Sequence, residues 1–197
     1  MNGFIEEREG IYRLRVQYIT VYTSIFLLET ELGDLLVDTA SYNEDIDTCL
    51  LPALGEMNKS ISELYAVVIT HDHFDHSGGL KRILEYAPGL RVITGIGEIS
   101  KWISTYPMAG HTEDSIGVFD SRTNTLISGD GLQGAGVDKY RTSVPFKEEY
   151  LKTLERIKND GRIENILFSH AYEPWFKDSV LGREAVISAV EKCKEYV

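Results

Sequence analysis

Apolar and polar positions alternate over the first third of the chain in a way that predicts strands. Over residues 11–28, β-branched and aromatic residues alternate with polar ones, which indicates two or three short strands. Gly33 and Asp34 mark a hairpin turn into a further strand at 35–38. The continuous apolar run 65–70 is typical of a strand that is buried on both faces.

Apolar residues at helical spacing predict the remaining framework. Helices are predicted over 44–58, with Pro52 as a kink, and over 80–87, 95–104, 147–159 and 183–196. Further strands are predicted at 91–93, 115–119, 125–128 and 163–168. Strands and helices therefore alternate in two similar halves, which predicts an α/β fold, and the length favours a single domain over residues 1–197.

Composition narrows the class of protein. The chain has 197 residues, 43% hydrophobic and 26% charged, which is typical of a globular protein. Its net charge of −11 argues against nucleic acid as a partner. The sequence has no membrane-spanning run and no secretory signal, so we expect no membrane partner and a cytoplasmic location. Cys49 and Cys193 form no metal or disulfide motif and are expected to be reduced packing residues.

The strongest chemical signal is the placement of the histidines. All five fall into one pattern that two aspartates complete, and each lies at the end of a predicted strand or in the loop that follows. The candidate metal ligands are His71, His73, Asp75, His76, His111, Asp130 and His170. Neutral imidazole and carboxylate are ligands for zinc, iron and manganese, and two ions require roughly seven or eight such donors. The pattern predicts two divalent ions, with zinc as the first choice and iron or manganese as alternatives.

The ligand spacing suggests how two ions would be shared. We expect His71, His73 and His111 at one ion, Asp75, His76 and His170 at the other, and Asp130 between them. A water bridging two cations loses its proton near neutral pH and becomes a nucleophilic hydroxide, with Asp75 or Asp130 as the catalytic proton acceptor. Asp38 is interpreted either as a hydrogen-bond partner that orients a ligand or as a turn residue.

This set of motifs resembles the metallo-β-lactamase superfamily, in the branch that includes glyoxalase II and metal-dependent lactonases. The matching motifs, in family order, are Asp38, the box from His71 to His76, Gly110-His111-Thr112, Ser128-Gly129-Asp130 and Ser169-His170. The resemblance implies an αβ/βα four-layer sandwich, with two mixed β-sheets flanked by helices and a binuclear site at one edge. It also implies hydrolysis of a small-molecule ester, thioester or lactone.

Some positions depart from that resemblance. Only 27 residues follow His170, so a glutathione thioester is not expected as the substrate. Gln133 stands where similar lactonases have a tyrosine, which weakens the assignment to homoserine lactones. Glu113 and Asp114 add negative charge beside His111. Lys139, Arg141 and Lys147, in the loop 131–147, would either contact an anionic substrate or form a solvated basic loop.

Other functions remain open from the sequence alone. A persulfide dioxygenase would use a single iron bound by His71, His111 and Asp130. A phosphodiesterase and a metal-binding protein without turnover are further alternatives. Phe74, between two ligands, is either a substrate-facing wall or a loop anchor. A homodimer is one expectation for the oligomeric state, which the sequence leaves open.

Overall fold

The computed structural model describes residues 3–132, 144–171, 177–195 and 197. The chain divides into two compact units, Met1–Thr94 and Gly95–Val197. Each unit has its own mixed β-sheet and its own helices. The single domain expected over residues 1–197 stays a prediction.

The first unit is built on a six-stranded sheet. Its strands are β1 (Ile5–Arg8), β2 (Ile11–Tyr18), β3 (Val21–Thr30), β4 (Gly33–Val37), β5 (Leu64–Val68) and β6 (Arg91–Ile93), in that spatial order. Its helices are α1 (Asn43–Asp45), α2 (Leu51–Glu56), α3 (Phe74–Ser77) and α4 (Leu80–Tyr86), with a π-helical turn at Ile46–Leu50 and a 3-10 turn at Ile61–Glu63. The first four strands pair antiparallel, whereas β4, β5 and β6 are parallel.

The helices of this unit pack on one face of the sheet. Leu14, Leu36 and Val67 from the strands share a buried cluster with helical residues such as Leu50 and Leu54. Burying such side chains supplies most of the driving force for folding, at about 25 cal/mol per Å² of apolar surface. The apolar stripe predicted over 44–58 therefore packs as expected.

Pro52 changes the local form of that helix. The expected helix is divided into α1, the π-helical turn and α2, and Pro52 stands at the beginning of α2. Proline has no N–H to donate to the carbonyl four residues earlier, and its ring crowds that carbonyl. The turn before it closes instead with a bond from the Leu51 N–H to the Ile46 oxygen. The predicted kink is therefore accommodated as a π-helical turn.

The second unit is built on a five-stranded sheet with the order β11-β10-β9-β8-β7. Its strands are β7 (Ile103–Pro107), β8 (Ile116–Asp120), β9 (Thr125–Ile127), β10 (Asn165–Leu167) and β11 (Ser179–Leu181). Helices α5 (Lys147–Asn159) and α6 (Arg183–Lys194) lie in the described part of this unit. Among the described strands of this sheet, β9 and β10 pair in parallel and the other neighbours pair antiparallel. Leu154 and Ile157 of α5 and Val190 of α6 pack in one cluster with Phe119 and Ile166 of the strands.

The helix predicted over 95–104 is wrong. This segment forms bends, a single bridge between Glu98 and Ser104, and the first residues of β7. The N–H of Thr105 donates to the Gly97 oxygen, and the N–H of Gly97 donates to the Thr105 hydroxyl. Two glycines at 95 and 97 cost about 1 kcal/mol each in a helix, so pairing with the strand prevails. Strands β1, β7 and β11 are not predicted by the sequence pattern.

No helix in the described ranges is both long enough and apolar enough to cross a membrane.

The two cysteines lie in different environments and should react differently. Burial raises the pKa of the Cys193 thiol to about 12, whereas Cys49 is partly exposed. Alkylation requires the thiolate. We therefore expect iodoacetamide at pH 8 to modify Cys49 in the native protein and Cys193 only after denaturation, as peptide mass spectrometry would show. Equal labelling of both cysteines in the native protein would contradict the buried position of Cys193.

Candidate metal centre

The ligand-bearing loops of the first unit leave the carboxyl ends of two parallel strands. In the β4–β5 pair, Val37 lies opposite Val68, so Asp38 and the loop with His71 emerge at the same edge. The Asp38 N–H donates to the Val68 oxygen over 2.9 Å, which continues the ladder by one bond. Parallel strands therefore bring a carboxylate and the histidine box together, although 32 positions separate Asp38 from Thr70 in sequence.

The histidine box is partly helical. His73 precedes α3 as its N-terminal cap residue, and Asp75 and His76 lie within that single turn. The His71 ring centroid is 4.6 Å from that of His73 and 4.2 Å from that of His76. His71 and His76 are buried, Asp75 is partly buried and His73 is exposed. The sequence-predicted ligands of this unit are therefore neighbours.

The Asp38 carboxylate accepts three hydrogen bonds from residues of this cluster. Its carboxylate accepts from the Nδ1 of His76 at 2.7 Å, from the Thr70 hydroxyl at 2.9 Å and from the Thr70 N–H at 2.8 Å. The side chain of Asp38 is buried, so each of these bonds is shielded from water. Of the two interpretations open from the sequence, the structure favours Asp38 as a residue that orients a histidine.

The segment after Asp38 holds the box at a second point. Both the N–H and the hydroxyl of Thr39 donate to the His76 carbonyl oxygen, over 2.8 and 2.9 Å. Asp38 and Ala40 adopt φ of 62° and 56°, a left-handed conformation that is uncommon for non-glycine residues. Such conformations cost energy and persist where the surrounding contacts fix them. His76 is therefore held by its ring and by its backbone.

The second unit brings together the other three predicted ligands. In the parallel β9–β10 pair, Ile127 lies opposite Leu167, and Asp130 and His170 each stand three residues further on. The Nε2 of His170 is 3.3 Å from Asp130 Oδ1, and the Nε2 of His111 is 3.6 Å from Asp130 Oδ2. All three side chains are buried. Asp130 therefore lies between two imidazoles.

The loop that carries His111 is fixed by helix α5. The Thr153 hydroxyl donates to the Ala109 oxygen over 2.8 Å, and the Phe146 N–H donates to the Gly110 oxygen over 3.1 Å. Gly110 has a φ of 145°, and a Cβ there would lie 2.7 Å from the Tyr150 ring. Only glycine fits that close approach. The helix thus presents His111 on a rigid loop.

The donor set in each unit fits a divalent metal ion. Two ligand atoms bound to one ion at the usual 2.0–2.1 Å are about 3.3 Å apart at a tetrahedral angle. The two distances at Asp130 and the 3.7 Å between His76 Nε2 and Asp75 Oδ2 are close to this spacing. His76 also shows the pattern of a metal-binding histidine. Its Nδ1 donates to the Asp38 carboxylate, and its Nε2 lies on the side of Asp75, 3.7 Å from Oδ2.

An exposed aromatic pair lies beside the histidine box. Phe74, between His73 and Asp75, is 51% exposed and contacts the equally exposed Tyr42 edge to face at 5.0 Å. Burial raises the pKa of Tyr18, with smaller contributions from the charges of Asp75 and Tyr42. Phe74 is thus exposed next to predicted ligands, and its role as a substrate-facing wall or a loop anchor stays a prediction.

The charged and polar residues expected to influence the choice of substrate lie partly within and partly outside the described residues. Glu113 and Asp114 are exposed, and the Thr112 hydroxyl donates to Asp114. Lys147 begins α5, and its ammonium donates to the Val197 oxygen over 3.1 Å. Gln133, Lys139 and Arg141 lie outside the described residues, as does most of the loop 131–147.

Sequence reasoning gave no role to Thr70 or Thr39. Both are buried, and both bond to residues of the histidine box or to Asp38. The only available signal was their position, directly before the first histidine and directly after Asp38. Short polar side chains at such points commonly bond to neighbouring groups.

Comparison with known proteins supports the resemblance seen in the motifs. The model of the metallo-β-lactamase superfamily matches residues 19–98. A probable hydroxyacylglutathione hydrolase of Encephalitozoon cuniculi is 31% identical over 132 residues, 61% of this chain and 52% of that relative. A hydroxyacylglutathione hydrolase of Buchnera aphidicola is 26% identical over 124 residues, 54% of this chain and 47% of that relative. The chain thus spans about half the length of the curated relatives it matches.

Solved structures show the fold. A metallo-β-lactamase of Pseudomonas aeruginosa in a mono-zinc form aligns with a TM-score of 0.74 and 16% identity, over 98% of this chain and 95% of that one. A metallo-β-lactamase of Hirschia baltica aligns with a TM-score of 0.69 and 19% identity, over 98% and 97%. The α/β fold class predicted from the sequence is confirmed. Over residues 19–98 the sequence is thus similar to the metallo-β-lactamase superfamily, and the solved structures show that the chain has the fold of metallo-β-lactamases. The two relatives named above are a hydroxyacylglutathione hydrolase and a probable one.

Proposed function

We propose that this protein is a metal-dependent hydrolase that opens a small ester, thioester or lactone. The proposed metal ligands are His71, His73, Asp75, His76, His111, Asp130 and His170. The observation that carries the proposal is the position of Asp130, whose two carboxylate oxygens each face the Nε2 of a histidine. A carboxylate placed in this way suits a bridge between two divalent ions. The Asp38–His76 bond supports it from the first unit.

The residues of the chain have separate tasks in this proposal. When bound, divalent ions polarise a carbonyl oxygen and lower the pKa of water toward 7. Asp38 keeps the His76 ring in one orientation through a 2.7 Å bond. Asp75 and Asp130 are the carboxylates that we propose take up the proton of the attacking water. Asp130 is 6% exposed, so a proton held there is largely shielded from solvent.

The substrate class rests on the relatives and on charge. The names of the relatives refer to a glutathione thioester, and the activity of those whole proteins comes to this chain only as a proposal. The net charge of −11 and the exposed Glu113 and Asp114 disfavour a polyanionic substrate. Thioesters, lactones, esters and a phosphodiester should therefore be tested side by side. A glutathione thioester, which the sequence did not lead us to expect, tests the activity of the relatives directly. The cytoplasmic location and the homodimer stay predictions.

Metal removal tests the proposal directly. We expect purified protein to carry about two equivalents of divalent metal by plasma mass spectrometry, and to lose hydrolysis of the active thioester or lactone when a chelator removes that metal. Zinc, manganese and iron would then be added back separately to identify the metal that restores activity. Asp130→Asn should abolish both metal binding and turnover.

The matched control is Asp120→Asn. Asp120 is also a buried carboxylate of the second unit, but it is bonded to Arg122 rather than to histidine. This variant should keep its metal. A protein with metal and no hydrolysis of any substrate would contradict the proposal. One tightly held iron, with oxygen consumed in the presence of a persulfide, would replace it with a persulfide dioxygenase.

A further inference from the structure

Thr70 lies between the carboxylate of Asp38 and the ring of His71, the first histidine of the box. Its hydroxyl oxygen is 2.9 Å from Asp38 Oδ2 and 3.1 Å from the Nδ1 of His71. Its own N–H donates to Asp38 Oδ1 over 2.8 Å, which fixes the backbone at this point. The residue is 1% exposed, so water does not compete for these bonds.

The direction of these hydrogen bonds follows from the number of protons available. A hydroxyl has one proton to donate, and a carboxylate only accepts. The Thr70 proton is therefore directed to Asp38, and the Thr70 oxygen offers a lone pair to His71. A neutral imidazole facing that lone pair places its single proton on Nδ1, which leaves the lone pair of Nε2 for another partner.

We propose that Thr70 is a positioning residue that fixes the tautomer of His71, so that one buried carboxylate prepares two histidines for metal binding. Asp38 acts on His76 directly and on His71 through the Thr70 hydroxyl. Both rings then present Nε2 as the ligand atom, the arrangement in which second partners raise the affinity of a histidine for metal. This inference rests on the proposed function in one respect, because it takes a metal ion as the partner of Nε2 in His71 and His76.

The tautomer can be measured without metal or turnover. Long-range nitrogen–proton NMR of the metal-free protein, at about pH 8.5 where imidazoles are neutral, distinguishes the two tautomers of His71. We expect the Nδ1–H form of His71 in the natural chain. A dominant Nε2–H form would overturn the proposal without the need for any variant.

Two substitutions at Thr70 separate the hydroxyl from the shape of the side chain. Thr70→Val keeps the shape and removes the hydroxyl, so we expect a mixture of His71 tautomers and a metal dissociation constant raised about tenfold. Thr70→Ser restores the hydroxyl and should return both readouts to within about threefold of the natural values. A competing chromophoric chelator measures the metal affinity.

The matched control is Thr125→Val. Thr125 is equally buried, and its hydroxyl donates to the Thr123 oxygen over 3.1 Å, away from the proposed ligands. Thr125→Val should cost stability but leave the His71 spectrum and the metal affinity unchanged. If Thr70→Val binds metal as tightly as the natural chain, or if Thr70→Ser fails to rescue, the proposal is wrong. If the natural chain binds metal and hydrolyses nothing, the proposed function fails while the NMR spectrum still decides the role of Thr70.

Discussion

An Asp38→Asn protein is expected to bind divalent metal about 10- to 100-fold more weakly than the natural chain. The carboxylate of Asp38 accepts from His76 and from the Thr70 hydroxyl at one oxygen, and from the Thr70 N–H at the other. An amide has one accepting oxygen and one donating nitrogen, so at least one of these donors must then face an N–H group. The His76 ring loses its fixed orientation, and we expect hydrolysis at a limiting metal concentration to fall by the same factor.

The fold should survive this substitution. Asp38 has a φ of 62°, and asparagine is among the few residues that adopt this region readily. We therefore expect thermal unfolding of metal-free Asp38→Asn to resemble that of the natural chain, which would assign the loss to the metal site. Competition with a chromophoric chelator and calorimetry measure the two quantities separately.

Asp34→Asn is the matched control in the same unit. Asp34 is also largely buried, but its oxygens accept two bonds from the Lys59 ammonium instead of a histidine. Metal affinity should be unchanged by this variant, whatever its effect on stability. Equal weakening in Asp34→Asn and Asp38→Asn would mean that general loosening of the unit, rather than the His76 bond, controls the metal site.

Helices and strands could be predicted from the sequence where apolar residues followed either the helical or the strand spacing clearly. Helix α5 begins and ends at the predicted residues because its apolar stripe is long and its neighbours are polar. The hairpin of β8 and β9 was predicted from the polar turn 121–124. The segment 95–104 failed because a few apolar residues at helical spacing were outweighed by hydrogen bonds between Gly97 and Thr105, which no local pattern reveals.

In the candidate site, the ligands could be predicted from the sequence, whereas the hydrogen bonds that hold them could not. The ligands could be selected because imidazoles and carboxylates stood next to predicted strand ends, and parallel pairing then brings Asp130 and His170 to one edge. The hydrogen bonds of Thr70 and Thr39 could not be predicted, since they depend on the side-chain geometry of segments more than 30 positions apart. The role of the seven predicted ligands in binding metal stays a proposal that the metal measurements test.

The glycines that follow the box form the closest packing of the site, and Gly78→Ala should therefore destabilise the protein strongly. A Cβ at Gly78 would lie 2.0 Å from the Ser41 carbonyl oxygen and 2.5 Å from the Phe74 oxygen, and both are backbone atoms that cannot move alone. Relief requires a shift of either α3 or the segment after Asp38. We expect a loss of about 3 kcal/mol in the free energy of unfolding, and a melting temperature lowered by roughly 6–12 °C.

Gly55→Ala distinguishes this contact from a general effect of replacing glycine. Gly55 lies in α2 of the same unit, and a Cβ there would meet nothing within 4 Å. Alanine should stabilise the helix at this position by up to about 1 kcal/mol, so the two variants should shift the melting temperature in opposite directions. The Gly78→Ala protein should also lose metal affinity at temperatures where it remains folded, because the segment displaced by Cβ carries the Thr39 bonds to His76. An unchanged melting temperature in Gly78→Ala would show that α3 and the segment after Asp38 are not packed as closely as the structure indicates.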